Sequence, residues 1–243
     1  MTTSVSTTHE LRARSVAYAL LARMLGNDVQ HLVDADTRAA LATALEGAGL
    51  ERLQAYITPD LAALPAESVL AGRWVRWFDL GRVAPYEGSH VASSAGGVTP
   101  RLADVAGFYR AFNMKVRSER PDHVVAQLEF LAVALLVEAE QIEADDADGA
   151  EVATQAIRNF VRDHVGRWVT AWAGRVAAID ELQPWAGIAR LAAELLGVEA
   201  AARNVVPLAD TLMLVADAGL ADPLEADLEC GDEFDLAAEL GLP

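Results

Sequence analysis

No stretch of this chain alternates apolar and polar residues over the length of a strand, whereas apolar residues recur at helical spacing along most of its length. That pattern constrains the fold more than any other feature. A half-buried strand needs a period of two, and a packed helix a period of about 3.6. The apolar content, 53% of residues with only 6% aromatic, is mostly Ala, Leu and Val, and Ala and Leu are among the best helix formers. The expectation is an all-α protein: a single helical domain of about ten helices over residues 1–221, then an acidic, partly ordered tail, 222–243. Within that tail, Phe234, Leu236 and Leu240 could dock as a short helix.

Punctuation places the elements. The first helix is expected from Thr8 to just before Gly26, and a second, with Asp36 as N-cap, ends near Gly47. Short helices are expected at 50–57 and 60–64, and 67–80 forms a helix rich in aromatics at its end. Residues 81–100 contain Pro85, Gly88, Gly96 and Gly97 and read as a loop, long enough to suggest a function. Helix resumes at Thr99 or Arg101 and runs to about Asn113. Pro121 and Asp122 then open the longest helix, to about Glu143, with Val124, Leu128, Leu131 and Leu135 as its apolar stripe. An acidic turn at 145–149 leads to helices at 150–163, 164–179, 184–197 and 199–218. No repeat of solenoid spacing occurs.

The formal charge is −17, from 36 acidic and 19 basic residues, and Lys115 is the only lysine. Such a field repels nucleic acid and anionic lipid and attracts a basic peptide, although adaptation to salt would leave the same imprint. The single cysteine, Cys230, cannot form an internal disulfide. The first fifteen residues lack the apolar core of a secretory signal. The longest apolar run, Leu131–Val137, is far shorter than the ~20 residues that span a bilayer. A cytoplasmic protein without stable membrane insertion or nucleic-acid partner is expected.

Catalytic templates fail. There is no phosphate-cradling glycine loop, no dinucleotide fingerprint, no His-Glu-x-x-His and no Gly-x-Ser-x-Gly, and His9, His31, His90, His123 and His164 are scattered. No catalytic residue, metal site or cofactor is expected, and the chain reads as a binder rather than an enzyme.

Three clusters carry the candidate chemistry. Trp74, Trp77 and Phe78 precede Pro85-Tyr86-Glu87-Gly88-Ser89; rings beside a long loop suit a groove for an apolar peptide, or close the core beneath that loop. In the segment Arg120–Leu131, Asp122 is a helix cap or a guanidinium partner, and His123 shares a helix face with Gln127. Glu129 lies near the side of Asp122. Finally, Phe160, His164, Trp168 and Trp172 align along one face if their helix is continuous, as core or as site.

In this order the segments resemble the TorD/DmsD/NarJ family of molybdoenzyme maturation chaperones. The resemblance covers about residues 70–175: the Pro-Tyr-Glu loop, the helix Val105–Phe112, Pro121-Asp122-His123 running into Gln127-Leu128-Glu129-Phe130-Leu131, and Phe160-x-x-x-His164-x-x-x-Trp168. It departs at Gly88, which interrupts a Pro-Tyr-Glu-Ser run, and at Gln127, which replaces the first acid of Glu-Leu-Glu-Phe. The resemblance implies a TorD-like helical bundle that binds the N-terminal segment, a twin-arginine leader or its equivalent, of a molybdopterin oxidoreductase catalytic subunit. It also implies roles in cofactor insertion, assembly and export proofreading. The peptide-binding residues it implies are Trp74, Trp77, Tyr86, Glu87, Asp122, His123, Gln127 and Glu129, in a cleft lined by rings and rimmed with acid at the Asp-His turn. A monomer and a domain-swapped dimer are both compatible with long exchangeable helices. The rival readings are a helical enzyme and a nucleotide-binding regulator, each using Asp122, His123 and Glu129.

Overall fold

The computed structural model describes residues 3–57, 64–91, 97–116 and 120–208, with side chains from residue 8 onward. Among these residues there are nine α-helices and no strand: α1 Thr3–Met24, α2 Gln30–Val33, α3 Ala35–Gly47, α4 Glu67–Trp74, α5 Thr99–Ala111, α6 Val124–Glu143, α7 Ala147–Asp163, α8 Val169–Ala177 and α9 Gln183–Ala202. The fold is all-α, as the periodicity dictates. The acidic tail and the expected helix at 60–64, except Leu64, lie outside the described residues.

Helix α6 is the centre of the fold. Val124, Leu128, Leu131 and Leu135 are buried as the stripe requires, but so are Ala126, Phe130, Ala134 and Ala139, so the helix is covered on most sides. It packs against α1 and α7, while α8 and α9 pack on each other. Ser15 of α1 is buried and donates to Ala132 O at 2.7 Å, taking a carbonyl partner where the two helices pass closely. Phe78, Trp172 and Trp185 meet with ring centroids 5.8–5.9 Å apart, and burial of each such ring contributes several kcal/mol, on the order of 3–5 by truncation.

A buried ionic cluster ties the C-terminal end of α9 down. Arg203 Nη2 lies 2.7 Å from Glu138 Oε2 of α6 and its Nε 3.1 Å from Glu199 Oε2; Arg14 of α1 lies 3.1 Å from Glu199 Oε1. Thr154 of α7 donates to Glu138 Oε1 at 2.6 Å. The flanking carboxylates hold the Arg203 guanidinium charged against the cost of burial.

Several boundaries differ from the expected ones, each for a local reason. Asp34 rather than Asp36 caps α3: its backbone is extended and its carboxylate accepts from Thr37 N at 2.8 Å, whereas Asp36 lies within the first turn. Helix α6 begins at Val124, capped by His123, whose Nδ1 accepts from Val125 N at 3.1 Å; Pro121 and Asp122 form the turn before it. Helix α7 starts at Ala147 because Asp146 accepts from Gly149 N at 2.9 Å. The expected helix over 67–80 is α4 followed by one π-turn, Val75–Asp79. The span 164–179 is not one helix. The backbone breaks at His164 (φ −127, ψ −99), and a 3₁₀ turn, Val165–Arg167, precedes α8. A Cβ at Gly166 would collide with Val161 O, so the break depends on that glycine. Helix α9 passes through Gly197 to Ala202 instead of stopping there, and residues 203–208 are not helical.

Candidate functional site

Residues 83–91, between α4 and α5, are stitched to their surroundings more tightly than their composition suggests. Tyr86 and His123 form an isolated antiparallel bridge, in which Glu87 N donates to Asp122 O and Val124 N donates to Pro85 O, both at 2.9 Å. The bridge places the Pro-Tyr-Glu motif directly on the Pro-Asp-His motif and leaves His123 as the cap of α6. Further along, His90 Nε2 donates to Ala84 O at 2.7 Å and its ring stacks on Trp168 at 5.1 Å. Trp172 Nε1 donates to Val83 O at 3.3 Å, and Arg101 of α5 donates to Val91 O at 3.0 Å.

Beneath the bridge lies a polar network whose centre, Glu87, Gln127, His164 and Trp168, is buried. Glu87 Oε2 accepts from Gln127 Nε2 at 2.6 Å, and Gln127 Oε1 accepts from Trp168 Nε1 at 3.0 Å. Glu87 Oε1 lies 3.2 Å from His164 Nδ1 and 3.4 Å from Arg101 Nε, while His164 Nε2 faces Asp104 Oδ2 at 3.3 Å. The Gln127 amide donates to one neighbour and accepts from another. An ionised carboxylate at this position could not donate to Glu87.

Asp122 faces the other side of the bridge. Its Oδ2 accepts from Gly88 N at 3.0 Å, and both its oxygens accept from Arg120, at 3.0 and 2.9 Å. The Arg120 guanidinium lies 4.6 Å over the Tyr86 ring, and Tyr86 meets His123 edge-on at 5.0 Å. A Cβ at residue 88 would stand 3.0 Å from Asp122 Oδ2 and 3.2 Å from Val98 Cγ1, so the glycine in the family's serine position keeps room for the aspartate.

Burial drives His123 down to about 4, with the Arg120 charge adding to the effect. The ring is therefore neutral at physiological pH, which suits an Nδ1 that accepts from a backbone amide. His90 is also lowered to about 4, chiefly by burial and then by Arg175, against the Ala84 hydrogen bond. Burial, reinforced by Glu87, Asp122 and Glu129, pushes the Tyr109 hydroxyl up, and that hydroxyl donates to Pro121 O at 2.6 Å.

The eight residues singled out in the sequence thus separate into groups. Glu87, Asp122, His123 and Gln127 come together but are each 0% exposed. Trp74 is buried edge-on against Phe78 at 5.9 Å. Trp77 and Tyr86 are partly exposed, the former donating to Glu181 Oε2 at 3.0 Å. Glu129 is exposed and lines a furrow of about 350 Å³ with Arg23, His31, Lys115 and Val125; neither Asp122 nor His123 borders it. The open acid-rimmed cleft expected at the Asp-His turn is closed in this conformation, because the bridge and Arg120 cover it. Asp122, His123 and Glu129 do not converge on one cavity as an acid–base set requires. Phe160, His164, Trp168 and Trp172 are all buried despite the helix break.

The sequence puts Arg120 at the head of the Asp-His segment but gives no site role to it, to Arg101 or to His90, which no periodicity singles out. The proximity of Arg120 to Asp122 was the one available signal. Among the described residues no cluster of three His, Cys, Asp or Glu is placed to hold a metal, and no helix is long and apolar enough to cross a membrane.

A family model described as nitrate reductase delta subunit aligns with residues 30–174, more than half of the chain, from α2 into α8 and across both bridged motifs. No curated protein and no solved structure matches.

Proposed function

This chain belongs to the nitrate reductase delta subunit family, whose members are assembly chaperones of a molybdenum enzyme, and from that premise we propose that it binds the N-terminal segment of a molybdopterin oxidoreductase catalytic subunit. Nitrate reductase is the first client to consider. Binding would hold the subunit open for cofactor insertion and, where the segment is a twin-arginine leader, withhold it from premature export. The chaperone would act in the cytoplasm, before assembly or export.

The observation that carries this reading is the two-pronged guanidinium contact already formed on Asp122 beside the Tyr86 ring. Asp122 receives an arginine, and Tyr86 and Trp77 offer ring faces to an apolar stretch. Glu129 stands on the outer surface of α6. Glu87, His123 and Gln127 hold the loop in register, and Trp74 backs it from the core. The net charge of −17 favours approach of a cationic segment.

The test is calorimetric titration with a synthetic peptide copying the N-terminal residues of a nitrate reductase catalytic subunit, alongside a control with its basic residues changed to Gln. Saturable binding that weakens with the control, and again with Tyr86→Ala, is the expected result. If neither the peptide nor the intact subunit binds, the reading is wrong.

A further inference from the structure

Arg120 contacts Asp122 as a guanidinium contacts a carboxylate in molecular recognition, with two parallel hydrogen bonds at 3.0 and 2.9 Å. It adds the cation–π contact to Tyr86 at 4.6 Å. The two partners differ sharply in freedom. The Asp122 side chain is 0% exposed and fixed by the Gly88 amide, whereas that of Arg120 is 49% exposed. Asp122 is the carboxylate with hydrogen bonds to this guanidinium, and Glu87 is directed instead to Gln127, His164 and Arg101. The walls are therefore set by the bridge, while the occupant hangs from the surface.

We infer that Arg120 is an internal occupant of a guanidinium pocket built by the Tyr86 ring and by Asp122, which the Gly88 N–H holds in place, and that an arginine arriving from a bound client takes its place. The identity of the arriving arginine rests on the chaperone reading above; the pocket does not. Exchange replaces like with like, so the pocket is never left as an uncompensated buried charge. Only the Arg120 side of the pair reaches solvent, so exchange withdraws that guanidinium into water while Asp122 stays fixed in the bridge. A tethered competitor lowers the apparent affinity for any outside arginine by the fraction of time it occupies the site. Arg120 thus excludes partners that offer a cation without further contacts.

The pocket is tested without any client, using N-acetyl-arginine methylamide and the corresponding lysine compound as probes. Wild type, Arg120→Gln and Arg120→Gln/Asp122→Asn are titrated, following the Gly88 amide resonance and the melting temperature. Arg120→Gln should bind the arginine probe at least about tenfold tighter than wild type. It should discriminate against lysine, which cannot form the bidentate, stacked contact, and the second substitution should abolish both responses. If Asp122→Asn unfolds, Tyr86→Leu removes the other wall. Equal responses of Arg120→Gln and wild type, or equal responses to arginine and lysine, overturn the inference. The client peptide separates the two readings. Peptide binding without any gain in Arg120→Gln removes the pocket and leaves the chaperone; probe binding to Arg120→Gln with no binding of peptide or intact subunit does the reverse.

Discussion

Gln127 donates to Glu87 at 2.6 Å across 40 residues of sequence, with both side chains buried. The contact joins the first turns of the central helix to the loop that carries Pro-Tyr-Glu. It also locates the polar network between core and surface, where it fixes the loop rather than meeting solvent. Consequences for stability follow from this arrangement.

Gln127→Glu places two buried carboxylates face to face. We expect a loss of about 3 kcal/mol at pH 7, the scale of an uncompensated buried charge. Like-charge contact raises the folded-state pKa of the pair above its unfolded value. The variant should therefore approach wild-type stability as the pH falls toward the unfolded carboxylate range and lose it again as the pH rises. Urea midpoints of both proteins between pH 4 and pH 8 check this; a constant gap would contradict it.

The neutral cap His123 gives an acid-sensitive fold. Its folded pKa, about 4, lies below the unfolded value near ~6.5, so the unfolded chain binds more protons between these limits. The stability contributed by His123 is complete above ~6.5 and declines as pH falls toward about 4, by roughly 3 kcal/mol in all. His90, also at about 4, adds a similar slope. His123→Asn keeps a capping oxygen for the Val125 amide and should flatten this part of the curve, as read from denaturant midpoints at pH 7, 6, 5 and 4.

Arg203 neutralises Glu138 and Glu199 where α9 meets α6. Arg203→Met leaves both carboxylates buried and should cost about 3–5 kcal/mol. Adding Glu138→Leu to it should restore part of that loss, because the second substitution removes an orphaned charge. A thermal-melt double-mutant cycle measures the coupling, and simple additivity would mean that the ion pair contributes nothing.

Two kinds of glycine should respond in opposite directions. Gly88→Ala forces a Cβ to 3.0 Å from Asp122 Oδ2 and should destabilise by about 1–3 kcal/mol. Gly72 and Gly174 sit within helices with nothing near the added Cβ, so each alanine there should stabilise by about 0.5–1 kcal/mol. Melting temperatures of the three variants decide whether the tight fit at Gly88 is real.

Much of the fold was legible in the residues themselves. The helical period, the stripe of Val124, Leu128, Leu131 and Leu135, the glycine- and proline-rich break after Leu80 and the order of the motifs lead to an all-α chain of this family. Helix periodicity is a local property, set by side chains three and four residues apart. What the tertiary structure alone decided is which polar residues face water. Asp122 and Asp36 have the chemistry of caps, but His123 and Asp34 do the capping, because capping depends on backbone angles imposed by neighbours such as the Tyr86 bridge. His164 sits at a helix break enforced by backbone packing at Gly166. Glu87, Gln127 and Arg203 find partners far away in the chain, and no local pattern encodes a contact whose energy depends on burial and on a group brought there by another helix.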